Sequence, residues 1–415
     1  MKTNNTPPQG YKMTELGALP EEWEVVKVKE YFIEIKQKVG FENKDKYNPV
    51  AVGELGLRFR EQIYKHKTKL TEKTETYLIF PYSSICFGLG SKTLAVDVNT
   101  IKNSVYSVSA AYKIFKFDDN LFNPIFFRFY VMSVKDLWSS KLLVQSVRQG
   151  KKIDKVIFYD LSIPLPTLAE QQKIAAVLSA VQTAKEKTEA VIDATKALKK
   201  SMMKHLFTYG PVSPEETENV QLKETEIGPV PEDWEVVRLE NIFRITSGKA
   251  RPEILKKSPS EPYIFPVFGG NGIIGYSNEF LIEYPTIILG RVGEYCGSAH
   301  ISQGKCWVSD NALYANYFKK KIDLKFLLNA LEILNLNKLK NRGGQPLISQ
   351  SVVYSQSISL PPLPTQQKIA SILSAIDEKI EAEENKKKAL EELFKSLLHN
   401  LMTAKIRVNQ LEISS

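Results

Sequence analysis

The feature that most constrains this chain is a pair of sequences that each occur twice. The segment "LPTLAEQQKIAAVLSAV" begins at Leu165, and "LPPLPTQQKIASILSAI" begins 195 residues later at Leu360. An earlier segment, "TELGALPEEWEVVKV" from Thr14, returns 211 residues later as "TEIGPVPEDWEVVRL" from Thr225. Identical residues occupy 11 of 17 positions in the first pair and 9 of 15 in the second. Chance would give about one match in each, so the chain is a tandem duplication of a whole domain and not a solenoid.

Each copy consists of a head, a middle and a long helix. The heads and helices are alike, whereas the middles at 33–163 and 242–358 share little sequence. The similar heads and helices are expected to contact the same kind of surface in both copies, such as each other or two copies of one partner. Unlike middles are expected to meet two different ligands. Drift of the middles without any purpose is the alternative.

The duplication predicts a chain of two globular domains and two rods. We expect an α/β protein of the α+β type, in which each globular domain has a small mixed or antiparallel sheet with helices. The predicted boundaries are 1–163 for the first globular domain with its head at 14–32, 164–210 for the first long helix, 211–224 for a linker, 225–358 for the second globular domain with its head at 225–241, and 359–408 for the second long helix.

The two long helices carry one narrow apolar seam each. A capping box at Thr167 and Glu170 predicts where the first helix begins. Apolar residues then recur in alternating steps of three and four, which is typical of a coiled coil. We predict that the helices pair with each other, antiparallel and about a pseudo-twofold axis; an intermolecular coiled coil is the alternative. The predicted pairing residues are Ile174, Val177, Val181, Val191, Leu198 and Met202 in the first helix and Ile369, Ile372, Ile376, Leu390, Leu393 and Leu397 in the second.

Positive charge is concentrated in the two middles. Residues 33–163 contain 21 Lys and Arg against 13 Asp and Glu, and residues 242–358 contain 14 against 8. Because the whole chain has a net charge of +9, the repeated heads and helices are acidic. Basic surfaces attract polyanions, of which nucleic acid is the commonest. Basic domains with no nucleic-acid partner are the alternative.

Several stretches of the middles combine cations or amides with tight turns. They are "LRFREQIYKHKTK", "FGLGSKT", "FGGNGIIGY", "ILGRVGEYCG" and "NRGGQP". Arg, Asn and Gln can make paired hydrogen bonds to base edges, and Lys contacts phosphates. For each residue an ordinary solvated surface is the alternative. The candidate DNA-binding residues are Arg58, Arg60, Lys65, Lys67, Lys69, Ser91, Lys92, Lys249, Arg251, Asn271, Arg291, Asn341, Arg342 and Gln345.

The sequence lacks the motifs of common enzyme and metal sites. Its three cysteines form no CxxC pair, its four histidines are scattered, and no Walker A or Asn-Pro-Pro-Tyr motif occurs. Ser309 and Asp310 have no histidine nearby in sequence, so a role in the fold is expected for them. We therefore expect a recognition protein and not an enzyme, with no metal and no cofactor of its own. The absence of a long apolar run and of a signal sequence predicts a cytoplasmic protein.

The chain resembles the specificity subunits of type I restriction–modification systems over nearly its whole length. The resemblance is carried by the heads "LPEEWEVVKV" and "VPEDWEVVRL", by the helix openings "LPTLAEQQKIAAVLSA" and "LPPLPTQQKIASILSA", and by the closing "LLHNLMTAKIRV". It implies two target-recognition domains, each specific for one half of a split double-stranded DNA site. The two helices would hold these domains at a set separation.

The resemblance also implies partners. Two modification subunits, which bind S-adenosylmethionine and methylate adenine, would dock onto the helices, and restriction subunits that use ATP would join them. The specificity subunit itself is expected to have no catalytic residues. Two alternatives from other classes remain: an enzyme with unrecognised motifs, which would bind S-adenosylmethionine or cleave DNA alone, and a coiled-coil structural protein, which would show no salt-dependent DNA binding.

Overall fold

The structure is a computed structural model that describes residues 7–43, 45–59, 74–89, 93–145, 151–341 and 345–408. The chain divides into two compact units. Unit 1 contains the chain up to Lys187 and returns from Lys386 onwards, and unit 2 contains Thr188–Asn385. Each unit therefore combines one head and one middle with half of each long helix, whereas the sequence boundaries kept each helix as one segment.

The described residues of unit 1 form short strands and three helices before the first long helix. Its strands are β1 (Tyr11–Thr14), β2 (Gly17–Pro20), β3 (Glu24–Lys27), β4 (Phe32–Ile35), β5 (Asn48–Gly53), β6 (Gly56–Phe59), β7 (Leu78–Phe80), β8 (Ser84–Phe87), β9 (Val96–Asn99), β10 (Tyr106–Val108), β11 (Lys113–Phe117), β12 (Leu143–Gln145), β13 (Lys151–Ile153) and β14 (Ser162–Leu165). Its helices are α1 (Val28–Tyr31), α2 (Pro124–Leu142) and α3 (Lys155–Asp160), followed by the first long helix α4 (Leu168–Tyr209).

Unit 2 follows a similar order. Its strands are β15 (Leu222–Thr225), β16 (Gly228–Pro231), β17 (Glu235–Arg238), β18 (Phe243–Ser247), β19 (Phe265–Gly269), β20 (Gly272–Ser277), β21 (Thr286–Gly290), β22 (Ala299–Ser302), β23 (Trp307–Val308), β24 (Ala312–Phe318) and β25 (Ser357–Leu360). Its helices are α5 (Leu324–Leu334) and α6 (Gln350–Tyr354), followed by the second long helix α7 (Leu363–Met402).

The two middles share one topology although their sequences differ. An antiparallel sheet has the order β4-β11-β8-β9 in unit 1 and β18-β24-β21-β22 in unit 2. A second sheet contains β6-β5-β10-β7 in unit 1 and β20-β19-β23 in unit 2. In both, a hairpin (β5–β6 or β19–β20) pairs with a strand that runs parallel to its first member (β10 or β23). The predicted α+β domains with mixed and antiparallel sheets are confirmed, and the duplication extends through the middles.

Each unit has its own apolar core in which the head and the long helices take part. In unit 1 Phe32 lies at the centre of an aromatic cluster, 5.3 Å from Phe127 and 5.4 Å from Phe117 between ring centroids. The tryptophans that occur at equivalent positions of the two heads, Trp23 and Trp234, are both buried in these cores. Repetition of the head sequence therefore reflects repetition of a packing site.

A buried glutamine explains why the helix openings are alike. The side-chain oxygen of Gln171 accepts a hydrogen bond from the N–H of Asn123 at 2.8 Å, and its nitrogen donates to the carbonyls of Leu121 and Pro166. Asn123 is the N-cap of α2. In unit 2 Gln366 repeats the arrangement: its oxygen accepts from the N–H of Asp323, the N-cap of α5, at 3.0 Å, and its nitrogen donates to Pro361. These glutamines fix the helix of each middle to a long helix.

Replacement of Gln171 with leucine is expected to destabilise the protein by about 3 kcal/mol. The substitution removes the side-chain partner of the Asn123 N–H and of the carbonyls of Leu121 and Pro166, and a buried group without a partner costs about 1–3 kcal/mol. The neighbouring Gln172 is exposed, so Gln172→Leu serves as the matched control, with an expected effect within about 0.5 kcal/mol. Urea denaturation measures both. Equal losses in the two variants would contradict the anchoring role.

In the predicted capping box the carboxylate of Glu170 would accept a hydrogen bond from the backbone N–H of Thr167. In the structure this carboxylate contacts other groups. The backbone N–H of Glu170 is 3.4 Å from the hydroxyl of Thr167. Its carboxylate accepts from the indole N–H of Trp23 at 2.9 Å and from Arg407 at 2.8 Å and 3.0 Å. The hydrogen bond to Glu170 raises the pKa of Arg407. Glu170 thus joins the head, the start of α4 and the segment after α7 within unit 1.

The long helices pack antiparallel in each unit. In unit 1 the ammonium of Lys185 in α4 lies 5.9 Å from the ring centroid of Phe394 in α7. In unit 2 Lys196 contacts Glu384 at 2.6 Å, and Lys199 contacts Asp377 at 2.8 Å. In these contacts the residue numbers increase along α4 while those of the contacting residues decrease along α7. The two helices are therefore antiparallel, as predicted, and they pair within one chain.

The buried seam differs in part from the predicted one. Ile174 and Ile369 are fully buried, and Val177, Val181, Met202, Ile372, Ile376, Leu390 and Leu397 are partly buried. Val191, Leu198 and Leu393 are instead 40%, 52% and 46% exposed. Ile192, which follows Val191, and Phe394, which follows Leu393, are buried instead. The reason is geometric: a straight α-helix drifts by about 20° per heptad from a strict 3.5-residue repeat, so residues chosen by that repeat turn away from the interface.

Across the described ranges no helix combines enough length and apolar character to cross a membrane. The three cysteines, Cys86, Cys296 and Cys306, are buried as free thiols. In the same ranges no group of three histidine, cysteine or carboxylate side chains is placed to hold a metal ion.

Candidate nucleic-acid interface

Three connections meet at one edge of each unit. The first is the hairpin turn at the tip of the β5–β6 or β19–β20 hairpin, at 53–56 and 269–272. The second is the connection between β8 and β9, of which 88–89 and 93–95 are described, or the connection between β21 and β22 at 291–298. The third is the serine turn that begins at Ser109 or Ser309 and leads into β11 or β24. We call this edge the three-loop edge.

Glycine allows these connections to approach within backbone contact. A Cβ atom at Gly290 would lie 2.1 Å from the carbonyl oxygen of Gly270, and one at Gly270 would lie 2.5 Å from that of Val292. Unit 1 repeats the contact, since a Cβ atom at Gly88 would lie 2.1 Å from the carbonyl oxygen of Val52. Real Cβ atoms do not tolerate such distances, so both edges require glycine at the same topological position.

Replacement of Gly88 with alanine is expected to disrupt the three-loop edge of unit 1 and to destabilise the protein by about 1–3 kcal/mol, because the new methyl group collides with backbone. Gly53→Ala is the matched control, since nothing lies within 4 Å of a Cβ atom there. Its expected effect is within about 0.5 kcal/mol. Urea denaturation measures both. Comparable behaviour of the two variants would contradict close packing at Gly88.

In unit 2 the structure brings together predicted residues from separate stretches of sequence. The N–H of Lys249 donates to the carbonyl of Val308 at 3.0 Å, next to the serine turn. The N–H of Arg291 donates to Asn311 at 2.9 Å, and that of Asn341 donates to Leu347 at 3.0 Å. Bridges also join Lys249 to Ser309 and Val292 to Leu347. The cation and amide positions at 249–251, 271, 291, 341 and 345 therefore belong to one surface.

Most of the predicted side chains on this surface face solvent. Lys249, Arg251, Asn271, Asn341 and Gln345 are exposed. Arg291 is half-buried, and its guanidinium donates to the hydroxyl of Ser247 at 3.0 Å, which fixes its direction. Arg342 lies outside the described residues. Lysine and arginine side chains are of the type that contacts phosphates, and arginine and amide side chains are of the type that pairs with base edges, so the edge has the chemistry needed for both.

One histidine beneath this edge contributes no charge near neutral pH. The ring of His300 lies under the hairpin turn, with Cε1 3.2 Å from where a Cβ atom at Gly272 would be. Its Nε2 is 3.3 Å from the hydroxyl of Ser298. Burial lowers the pKa of His300 below its ordinary value of 6.5. Above that value the ring is neutral, so the positive charge of the edge comes from lysine and arginine.

In unit 1 the edge has fewer described cations. Arg58 is exposed on β6, opposite Ala51. Lys135 donates its ammonium to the carbonyl of Glu54 in the hairpin turn. The other predicted residues of this unit, Arg60, Lys65, Lys67, Lys69, Ser91 and Lys92, lie outside the described residues and stay predictions.

Sequence reasoning missed the ion pair that holds the hairpin of unit 1. Arg128 in α2 donates to both carboxylate oxygens of Asp97, at 2.7 Å and 3.2 Å. Asp97 is buried and also accepts from the N–H of Leu57 at 2.8 Å, at the start of β6. Its pairing with Arg128 compensates for the burial of its charge. No local pattern points to this pair, because its members are 31 residues apart and lie on different elements.

The three-loop edge occurs in both units with one topology and different side chains, and in unit 2 it carries exposed cations and amides, which is typical of a nucleic-acid recognition protein. The family model of the type I restriction modification DNA specificity domain matches residues 20–194 and 231–392, so the chain belongs to that family. The two matched segments correspond to the two copies of the duplication.

The chain is similar to specificity subunits over all or part of its length, and to a solved structure in its fold. The type I restriction enzyme MjaVIII specificity subunit of Methanocaldococcus jannaschii is 28% identical over 447 residues, which cover 95% of this chain and 95% of that protein. The EcoprrI specificity subunit of Escherichia coli is 29% identical over 117 residues, which cover 28% of this chain and 29% of that protein. The crystal structure of a type I restriction–modification S subunit from M. genitalium has the same fold, with a TM-score of 0.62, 16% identity and coverage of 91% of this chain and 96% of that one.

Membership of this family establishes the general activity. The chain is a specificity subunit that recognises a DNA target, as the sequence resemblance implied. Specificity subunits recognise DNA and do not catalyse its modification, so the chain is not an enzyme.

Proposed function

We propose that this subunit recognises a bipartite DNA target, with one half-site bound by each unit, and that the paired helices set the distance between the half-sites. The observation that carries the proposal is the repetition of the three-loop edge with different side chains. A shared topology gives both units the same way of approaching a duplex, and different side chains give them different sequence preferences. Affinity would come from phosphate contacts of the cations and sequence choice from base contacts.

We further propose that two copies of a modification subunit dock on the long helices. The exposed residues Leu198 and Leu393 support this, because they occupy equivalent positions 195 residues apart in the two helices. Met202 and Leu397, one turn further on, are half-buried equivalents at the same spacing. We call these two surfaces the apolar stripes. Exposed apolar residues repeated at equivalent positions are typical of a surface that binds a partner twice.

The remaining parts of the proposal concern chemistry that this chain would leave to its partners. The modification subunits would bind S-adenosylmethionine and methylate adenine, and restriction subunits would use ATP to translocate and cleave DNA. The specificity subunit would bind no cofactor. A protein with this function works where the cell keeps its DNA, so the proposal includes the cytoplasmic location expected from the sequence.

Methylome sequencing of host cells with and without this chain tests the proposal. The expected result is a split motif of two short half-sites whose adenine methylation depends on the chain. With purified protein, a gel shift on that motif should weaken steeply as salt is raised. Binding of S-adenosylmethionine or DNA cleavage by the chain alone, or a methylation motif with a single continuous site, would contradict the proposal.

A further inference from the structure

The geometry points to the serine turn as the element that determines which base each unit recognises at the centre of its three-loop edge. We propose that Asp310 and Asn311 in unit 2 contact bases that carry an exocyclic amino group, in the major groove. The equivalent Ala110 and Ala111 in unit 1 contact thymine methyl groups. This inference rests on the proposed function and assigns residues to its specificity.

The two serine turns have the same backbone geometry. In unit 2 the N–H of Asn311 donates to the hydroxyl of Ser309 at 3.3 Å, and the N–H of Ala312 donates to the carbonyl of Ser309 at 3.0 Å. In unit 1 the N–H of Ala111 donates to the hydroxyl of Ser109 at 3.3 Å, and the N–H of Tyr112 donates to the carbonyl of Ser109 at 3.0 Å. Residues 109–112 and 309–312 therefore occupy equivalent positions.

The serine turn of unit 2 is held rigidly while its variable side chains stay free. The N–H of Ser309 donates to Phe268 at 2.8 Å, and the carbonyl of Asn311 accepts from Arg291 and Val292. Ser309 is buried, whereas the side chains of Asp310 and Asn311 are exposed. Ala110 and Ala111 are likewise exposed in unit 1. Fixed backbone with exposed side chains is the arrangement that precise recognition of a base edge needs.

The serine turn of unit 2 lies between the cations of its edge. The segment of Lys249 and Arg251 adjoins it on one side, through the bridge from Lys249 to Ser309. Arg291 adjoins it on the other side, through the hydrogen bond to the carbonyl of Asn311. Among the described residues no ion pair involves Asp310. An acidic side chain there repels phosphates, so its presence in a DNA-binding edge is favourable only where it faces bases.

The chemistry of the two turns then gives different preferences. A carboxylate accepts hydrogen bonds and donates none, which suits the N4 amino group of cytosine. An asparagine beside it can pair with N6 and N7 of adenine. Alanine methyl groups have no hydrogen-bonding capacity and suit the thymine methyl group in the major groove. The same turn thus gives unit 2 a polar contact and unit 1 an apolar contact.

The test exchanges the turns in the complete chain together with its modification subunit. The double substitution Asp310→Ala, Asn311→Ala should relax one or two positions of a single half-site by about tenfold or more and leave the other half-site unchanged. Asp310→Asn, which preserves shape, should shift preference from cytosine towards adenine at one position. Ala110→Asp with Ala111→Asn should change only the other half-site. Methylome sequencing gives the motifs, and competition binding with oligonucleotides substituted at each position gives the fold-changes.

Glu283→Ala is the matched control, because Glu283 is an exposed carboxylate that precedes β21 at its opposite end; both half-sites should stay unchanged. Wild-type motifs in all serine-turn variants would overturn the inference. So would tighter binding without altered sequence preference in Asp310→Ala, since Asp310 would then act only by repelling phosphates. Absence of chain-dependent methylation with the wild-type protein would instead count against the proposed function, so the two failures are distinguishable.

Discussion

Simultaneous replacement of Leu198 and Leu393 with aspartate is expected to abolish methylation at every target site while the purified subunit still binds DNA. Both side chains are about half exposed, so a charged residue costs little in the free subunit, about 0.5 kcal/mol each. In a complex, each aspartate would be buried without a partner against an apolar surface, which costs several kcal/mol. The docking of both modification subunits should therefore fail.

The single variants separate the two stripes. Leu198→Asp should release one modification subunit and Leu393→Asp the other, so that each leaves a complex with one copy. Size-exclusion chromatography with light scattering gives the copy number, and methylome sequencing gives the activity. Val156→Asp is the control, because Val156 is 79% exposed and lies outside the long helices. Full methylation in the double variant would show that the stripes bind no modification subunit.

Lengthening both helices by one heptad is expected to lengthen the gap between the half-sites by about three base pairs. Seven residues add about 10 Å to a helix, and successive base pairs rise by about 3.4 Å. The insertions duplicate residues 181–187 in α4 and 386–392 in α7, where the chain passes between the two units. A heptad preserves the apolar repeat to within about 20°, so the antiparallel pair can still form.

Methylome sequencing of the lengthened protein measures the new gap directly. Loss of all methylation would also be consistent with helices that set the distance between the half-sites, provided that the lengthened subunit still folds and no longer binds the original target. The control inserts a further copy of residues 181–187 after Glu218, within the 3-10 helix Pro214–Asn219 and away from the long helices, where Glu218 is exposed, and should leave the gap unchanged. If the lengthened protein methylated the original target with normal activity, the length of the helices would not determine the distance between the half-sites.

Local patterns in the sequence predicted the parts of the fold that depend on local physics. The alternating steps of three and four predicted both long helices and their pairing, because helix periodicity is a short-range property. They did not predict that Ile192 is buried and Leu198 exposed, since this depends on drift accumulated along a straight helix. Repetition of "QQKIA" marked an important site, but only the structure shows that Gln171 is the buried member and Gln172 the exposed one.

The three-loop edge was predictable only in part. Glycine-rich turns indicated exposed loops, and Asn271, Arg291 and Gln345 lie on them. The equivalence of Ser109 and Ser309 was not apparent, because it depends on the parallel pairing of β10 with β5 and of β23 with β19. Such pairing joins strands that are far apart in sequence. The short shared sequence Val-Ser at 108–109 and 308–309 could have suggested it, although two residues alone are weak support.

Unit 1 combines the segment up to Lys187 with the segment from Lys386 onwards, and this affects when it can fold during synthesis. Its core includes Phe394, Leu401 and Val408, and Tyr11 donates its hydroxyl to the carbonyl of Ala404. During synthesis the residues up to Lys187 leave the ribosome before those of unit 2, but unit 1 cannot close until Phe394, Leu401 and Val408 have followed. Unit 2 has all its residues by Asn385 and can finish folding earlier. Premature termination after Asn385 would thus leave unit 1 open, with its apolar surface available to chaperones or proteases.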